Sequence, residues 1–271
     1  MTNRIIRLFN SLKYQKTAQK KESHEPLISV IIASYNYSNF ITTTIDSVLS
    51  QTYKNYEIII IDDGSTDDSR ECIGKYVKKH NNVHLYTHPM CENKGLPETL
   101  KLGIRKSKGE YIAFCESDDY WHQEHLARKV RMINKYDNVN IILNGIKMFG
   151  DKDEIKFNSK YLKSINKLLR EGKNKIQIIA GDKKNIIPTF SAVMIKSSEL
   201  KDINFNSPIP AWIDFWLYRQ VLKTNALYYL RDKLTYWRMH KSFNCKSKVE
   251  EYGKLSDMFI QQSDNLIDVV K

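Results

Sequence analysis

This sequence predicts an α/β fold with a mostly parallel sheet flanked by helices, and three observations lead there. Short apolar runs of strand length recur through the first half, near-continuous rather than alternating, as strands buried on both faces require. Segments with apolar residues at helical spacing separate them, the order of right-handed βαβ units. Polar and acidic residues follow each run, where such sheets gather ligands at the carboxyl ends of their strands.

The first run is 27–33, Leu-Ile-Ser-Val-Ile-Ile-Ala, after Pro26. Asn39 is the expected cap of a helix carrying Ile41, Ile45, Val48 and Leu49. The next strand, 57–61, is Glu followed by four Ile and ends at Asp62. A second helix carries Cys72, Ile73, Tyr76 and Val77, and 83–87 reads as a short strand. Leu96, Leu100 and Ile104 predict a helix that breaks near Gly109, before a strand at 110–115. Leu126, Val130 and Ile133 line another helix, with a strand at 139–143. Residues 150–175 are rich in Lys, Asn and Asp with little apolar periodicity, and read as a loop or an insertion. Farther on, 189–195 and 227–230 read as strands, and 212–222 as a helix. The segment 247–271 is amphipathic through Val249, Tyr252, Leu255, Met258, Phe259 and Leu266, and is expected to form a C-terminal helix at 246–271.

The chain has 271 residues, enough for one large domain, here expected over 26–245. Its four cysteines are scattered without a Cys-x-x-Cys pair, which argues against a zinc ribbon or redox motif. Cys115, in an apolar run, reads as a small core residue. The formal charge of +12 suits nucleic acid, anionic lipid or phosphorylated ligands. The basic residues are dispersed and no nucleic-acid module is recognisable, so nucleic acid is not the expected partner. The exception is residues 1–25, where six Lys/Arg stand against two Glu. There Ile5, Leu8, Phe9 and Leu12 follow helical spacing between Arg4, Arg7 and Lys13, a pattern that suits an anionic membrane surface as well as a helix packed on its own domain. The N-terminus lacks a signal-peptide core, and no apolar stretch reaches membrane-span length, so a cytoplasmic location is expected, with 1–25 read either as a peripheral attachment to the inner face of the plasma membrane or as a helix packed on its own domain or a frayed tail.

Four turns at strand ends hold the candidate chemistry: Ser34-Tyr35-Asn36, Asp62-Asp63-Gly64-Ser65, the stretch from His88 to Gly95, and Glu116-Ser117-Asp118-Asp119. The last three carboxylates repel one another unless a cation sits between them, and Mg²⁺ or Mn²⁺ bridges such oxygens to substrate phosphates. Gly64 lets the backbone turn tightly beside a ligand. A carboxylate there could accept from a nucleobase N–H or a ribose hydroxyl, while Ser65 to Asp68 cap the following helix. Tyr35 suits stacking on a base as well as ordinary packing.

These residues carry a resemblance. Val30-Ile31-Ile32-Ala33-Ser34-Tyr35-Asn36, Ser47-Val48-Leu49-Ser50-Gln51-Thr52 and Ile61-Asp62-Asp63-Gly64-Ser65-Thr66-Asp67 resemble the inverting GT-A glycosyltransferases of the large family 2 type. Gly109-Glu110-Tyr111-Ile112-Ala113-Phe114 fits as well, and the likeness is dense over about 27–125. It implies a Rossmann-like GT-A domain, with a nucleotide-binding half at about 26–125 and an acceptor half at about 126–245. It also implies a nucleotide-diphosphate sugar donor, usually a UDP-sugar, a saccharide or glycolipid acceptor, and a Mn²⁺ or Mg²⁺ cofactor, in cell-surface glycan or glycolipid synthesis. By the same resemblance Ser34, Tyr35 and Asn36 lie at the donor and Asp63 bonds its base. Asn93 and Gly95 lie near the ribose, and Asp118 and Asp119 serve the ribose and the diphosphate-bound metal. Glu116 stands where the family usually has Asp. Leu100-Lys101 stand where it often has an Arg-Asn pair. Asp214, in Trp212-Ile213-Asp214-Phe215-Trp216-Leu217, falls at the family's catalytic base. In Tyr236-Trp237-Arg238-Met239-His240, His240 would ligate the metal and Arg238 pair with phosphate.

Three rivals are weighed against this. A phospho-receiver domain would be shorter and need a Lys near the fifth strand. A nucleotidyltransferase would carry a Gly-rich basic loop after the first strand, which Ser34-Tyr35-Asn36-Tyr37 is not. The third is a non-catalytic nucleotide- or nucleic-acid-binding protein, which strongly salt-dependent DNA or RNA binding without nucleotide-sugar affinity would favour. The long second half and Asp214 argue against the phospho-receiver.

Overall fold

The computed structural model describes residues 23–171, 175–176, 187–209, 212–222, 225 and 227–240. The expected membrane-facing segment, apart from its last residues, and the C-terminal helix lie outside the described residues.

Strands β1 (Ile28–Ser34), β2 (Tyr56–Asp62), β3 (Val83–Thr87) and β4 (Tyr111–Phe114) pair in parallel. Helices α1 (Ile41–Leu49), α2 (Ser69–Lys79) and α3 (Gly95–Lys106) connect them. Every residue of β2 is buried. The run of isoleucines explains it. Ile58 and Ile60 join the core that holds Ile41, Ile45 and Ile73 of α1 and α2, while Ile59 and Ile61 join the opposite core with Leu100 of α3. Period-two alternation thus feeds two hydrophobic layers at once, each such side chain contributing roughly 1.5–3 kcal/mol on burial.

Beyond β4 come β5 (Tyr120–Trp121), α4 (His125–Lys135), β6 (Ile141–Gly150), α5 (Lys152–Glu171), β7 (Lys175–Ile176), β8 (Val193–Lys196), α6 (Ile213–Leu222) and β9 (Leu227–Met239). The nine-stranded sheet has the order β3-β2-β1-β4-β8-β6-β9-β5, with β7 also on β9. Because β8 is antiparallel to both β4 and β6, β6 runs with β4, and β9 is parallel to β6. Strands β1 to β4, β6 and β9 therefore point one way, and their carboxyl ends share an edge. Strands β5, β7 and β8 run against them. The expected mostly parallel α/β sheet is the one found.

Four local readings differ. Residues 150–175, read as a loop or insertion, hold the helix α5: Asp151 Oδ1 accepts the amides of Asp153 and Glu154, and Leu162 and Ile165 are buried. Asn39 does not cap α1, because the Tyr37 carbonyl already accepts the amides of Phe40 and Ile41, each at 2.9 Å. The strand expected at 189–195 is strand only from Val193. Phe190–Ala192 form a 3-10 turn, started by the Thr189 side chain accepting the Ser191 amide. Strands β6 and β9 run well past the expected 139–143 and 227–230, pairing with each other to Gly150 and Met239. Among the described residues no helix is long and apolar enough to cross a membrane.

Candidate active site

The carboxyl edge opens into a cleft of about 410 Å³, within the size range of small-molecule sites. Its walls come from the ends of β1, β2 and β4, the 88–95 loop and α3, with Phe190 and Trp237 closing the far side. Of the expected donor-binding residues, Ser34, Tyr35, Asp63, Asn93, Gly95 and Asp118 line it.

The first two turns are laced together. Asn36, in the left-handed region at φ 57°, donates its amide to Ser65 Oγ at 3.0 Å, and its Oδ1 accepts the Thr66 amide at 2.8 Å. Tyr37 and Ser38 donate their amides to Ser69 Oγ and Asp67 Oδ2. Asn36 therefore shapes the turn, and it is Tyr37, its neighbour, that reaches the cleft. Tyr35 is 45 % exposed at the mouth, free to lie on a flat ligand. Ser34 is buried in the wall, and its Oγ has no hydrogen-bond partner among the described residues.

Asp63 ties the second turn to the third. Its Oδ1 accepts the Lys94 amide at 2.7 Å and its Oδ2 the Gly95 amide at 2.9 Å. Gly64, at φ 77°, makes the approach possible: a Cβ there would stand 2.6 Å from the Cys91 carbonyl oxygen and 2.8 Å from the Asn93 nitrogen.

The acidic turn after β4 splits its carboxylates by role. Asp118 faces the cleft, with Oδ2 at 2.9 Å from His240 Nε2, at the end of β9. The His240 ring stacks on Phe40 at 5.9 Å and meets Tyr37 edge-on at 6.4 Å. Asp119 is fully buried behind the cleft. Its Oδ1 accepts the Arg238 amide at 2.8 Å, and burial followed by the charges of Glu116 and Asp118 raises its pKa well above the usual carboxylate value. Arg238 also sits behind the cleft. Its guanidinium lies between Phe40 and Phe149, 4.6 and 4.5 Å from their ring centres, and its Nε donates to the Asp118 carbonyl at 2.7 Å. It clamps the acidic turn from beneath.

Glu116 lines the cleft, and two side chains from the 3-10 turn hold it: Thr189 Oγ1 donates to its carboxylate, and its amide donates to Ser191 Oγ at 2.9 Å. That turn is fastened from behind, where Trp121 Nε1 and Thr235 Oγ1 donate to the Ser191 carbonyl and the buried Lys129 donates to the Ala192 carbonyl. Burial first, then Asp118 and Asp214, push the Glu116 pKa up to about 8. Asp214 is therefore close enough to act on Glu116. It stands in the first turn of α6, with Oδ1 accepting the Phe215 amide at 2.6 Å.

A divalent cation fits this arrangement with Asp118 and His240 as its protein ligands, since Mg²⁺ and Mn²⁺ commonly take one or two side chains and complete their shell with substrate phosphates and water. Among the described residues no group of three or more His, Cys, Asp or Glu forms a self-sufficient metal cage. Sequence reasoning missed Tyr37, Thr189 and Ser191 as site residues, and it named His88 only as the start of a candidate turn without giving it a role. The polar Thr189-Phe190-Ser191 before an apolar run was the available signal, and it reads as the start of a strand.

A nucleotide-sized cleft at the carboxyl edge of a mostly parallel sheet, with carboxylates at its back, defines the class of nucleotide-sugar transferases. The chain belongs to Glycosyl transferase family 2, whose sequence profile matches residues 29–202. It is 28 % identical to an uncharacterized glycosyltransferase, RT0329, of Rickettsia typhi over 90 % of this chain and 74 % of that one. It is 40 % identical to the Escherichia coli UDP-Glc:alpha-D-GlcNAc-diphosphoundecaprenol beta-1,3-glucosyltransferase WfaP over 42 % of this chain and 47 % of that one. Among solved structures, S. aureus TarS 1-349 in complex with UDP-GlcNAc superposes with a TM-score of 0.62 at 21 % identity, covering 79 % of this chain and 59 % of that one. The mannosyltransferase PcManGT from Pyrobaculum calidifontis, in complex with GDP-Man and Mn²⁺, gives 0.59 at 16 % identity over 82 % and 59 %. At these identities the two superpositions speak for the fold alone. The chain spans about three fifths of each of these solved chains and less than half of WfaP.

Proposed function

We propose that this chain transfers a sugar from a UDP-sugar to an acceptor hydroxyl with inversion, on a saccharide or glycolipid of the cell surface, with Mn²⁺ or Mg²⁺ as cofactor. The observation that carries it is the meeting at one edge of Tyr35 and Asp63 with the Asp118–His240 pair, and the charge of Asp214, in the first turn of α6, acting on Glu116 in the same cleft supports it. In this reading Tyr35 stacks on the uracil, Asp63 accepts its ring N–H, and Ser34, Asn93 and Gly95 border base and ribose. A divalent ion held by Asp118, His240 and the donor's phosphates would offset the charge that grows on the leaving diphosphate. Arg238 and Asp119 keep the acidic turn in place for it. Asp214 takes the proton from the acceptor hydroxyl as that oxygen attacks the anomeric carbon from the side opposite the diphosphate. With one carboxylate as base and no carboxylate nucleophile, a single displacement inverts the configuration.

The UDP-GlcNAc bound by TarS, and the UDP-Glc donor and diphosphoundecaprenol-linked acceptor of WfaP, support a UDP-sugar donor and a lipid-diphosphate-linked acceptor here. The test is a panel of nucleotide sugars with Mn²⁺, scored by thermal shift and by transfer. UDP-sugars are expected to stabilise the protein. Asp214→Asn is expected to keep donor affinity while kcat falls by about 10²–10⁴, the scale of general-base catalysis. Full transfer by that variant would remove Asp214 from the role of base, and a panel without any nucleotide-sugar response would remove the reading.

A further inference from the structure

His88 has no part in the transfer just described, yet it is buried against the carboxylate assigned to the nucleobase. It follows β3, with 7 % of its surface exposed. Its Nε2 lies 3.1 Å from Thr99 Oγ1 and 3.5 Å from Asp63 Oδ1. Thr99 Oγ1 donates to the Gly95 carbonyl at 3.0 Å, and the Gly95 amide donates to Asp63 Oδ2 at 2.9 Å. Asp63, Gly95, Thr99 and His88 thus close a ring, and Asp63 and Thr99 both face the cleft.

One tautomer satisfies the whole ring. A threonine hydroxyl has a single hydrogen, and when it goes to the Gly95 carbonyl the same oxygen accepts from His88, with the imidazole hydrogen on Nε2. The same nitrogen lies 3.5 Å from Asp63 Oδ1, close enough for the positive end of its N–H to attract the carboxylate. A carboxylate offers about four acceptor positions. The Lys94 and Gly95 amides take one on each oxygen, and His88 crowds a third. The carboxylate cannot rotate without breaking both amide bonds, and one acceptor position is left for a ligand.

We infer that His88 is a positioning residue for nucleobase recognition: with Thr99 it holds the Asp63 carboxylate so that its remaining acceptor position meets the ring N–H of a uracil. This rests on the proposed role of Asp63 and deepens it.

The experiment measures UDP and N3-methyl-UDP binding calorimetrically with Mn²⁺, on the full chain and on its His88→Leu, His88→Gln and Thr99→Val variants, with donor KM and kcat alongside. His88→Leu is expected to raise the UDP Kd and the donor KM about tenfold, the worth of one hydrogen bond to a charged group. N3-methyl-UDP, which has no ring N–H to offer, is expected to bind wild type and variant alike, and kcat at saturating donor stays within about twofold of wild type. Glutamine, whose amide N–H reaches the same two oxygens, restores most of the UDP affinity. Thr99→Val, which opens the ring from its other side, narrows the gap between the two ligands as His88→Leu does. The inference is overturned if UDP affinity is unchanged in His88→Leu, if both His88 variants lose it equally, or if the two ligands weaken together, as general loop damage would cause. A wild-type chain that binds no uridine nucleotide would overturn the functional reading itself, whereas UDP binding indifferent to His88 would overturn this inference alone.

Discussion

Asp118 and His240 are 122 positions apart in the sequence and 2.9 Å apart in the fold. Nothing local joins them. Strand β9 returns beside β5, Arg238 locks its guanidinium under the Asp118 carbonyl, and His240 follows two residues later. On the proposed reading, two protein ligands would leave the metal dependent on the donor's phosphates, so metal and donor should bind together. Removing one of the two should show first in the metal requirement. His240→Ala is expected to raise the Mn²⁺ concentration for half-maximal UDP binding by about 10- to 100-fold, the range seen when metal sites lose a supporting group. A Mn²⁺ titration of UDP binding checks it, and an unchanged midpoint would take His240 out of the metal site. Tyr37, against the same ring, has its hydroxyl pKa raised by burial and then by Asp118, Glu116 and Asp119, so it enters the site as a neutral phenol that can donate.

At the scale of elements, the cleft depends on three turns pressed together more than on any one strand. Gly64 is their contact point, with the Cys91 carbonyl and Asn93 amide where its side chain would be. Backbone gives way poorly, and a positive φ strains any L residue there. Gly64→Ala is therefore expected to cost at least about 2 kcal/mol, lowering the melting temperature by roughly 4 °C or more in a chain of this size, and to weaken UDP binding as the 88–95 loop is displaced. A thermal melt with and without UDP measures both, and a variant as stable as wild type would mean the loops are not in contact. The same scale separates what the sequence made legible from what it hid. The strands β1 to β4 were legible because runs such as Ile58 to Ile61 are buried on both faces. The four acidic and polar turns were legible because parallel strands bring their ends to one edge. Helix α5 was hidden because Ile155, Leu162 and Ile165 form a sparse stripe among lysines and asparagines. The Phe190–Ala192 turn was hidden because the Thr189 side chain, which bends the backbone there, is otherwise a good strand residue. Resemblance implied that Asp119 and Arg238 meet the metal and the phosphates, whereas both lie behind the cleft, Arg238 between the rings of Phe40 and Phe149, a packing that no spacing reveals.

For the whole molecule, the price of gathering carboxyls at one edge falls on stability, and pH exposes it. Burial, then Asp118 and Asp214, raise the Glu116 pKa from 4.5 to about 8, and Asp119 moves in the same direction. Between those two values the folded chain holds the Glu116 proton while the unfolded chain has released it. At this site the folded state then binds more protons, so the contribution of Glu116 and Asp119 falls as pH rises through this window, while His125 and Lys129, whose pKa values burial pushes down, contribute in the opposite direction. Asp67 shifts the other way, to about 2, under hydrogen bonds from Ser38 and Ser69, so its contribution is lost only in strong acid, below the window. In metal-free protein the melting temperature of wild type relative to Glu116→Gln is therefore expected to decline from pH 5 to pH 8, against the common pattern in which paired carboxylates gain strength over acid. Saturating Mn²⁺ and UDP should flatten that slope, because a cation beside Asp118 favours ionised neighbours and bound ligand stabilises the fold by mass action. Thermal melts at unit pH steps, in chelator and then in Mn²⁺ with UDP, separate the two curves. Glu116→Gln, neutral at every pH, supplies the reference curve. A wild-type melting temperature that does not decline relative to Glu116→Gln from pH 5 to pH 8 in chelator would mean that Glu116 does not keep its proton in the fold.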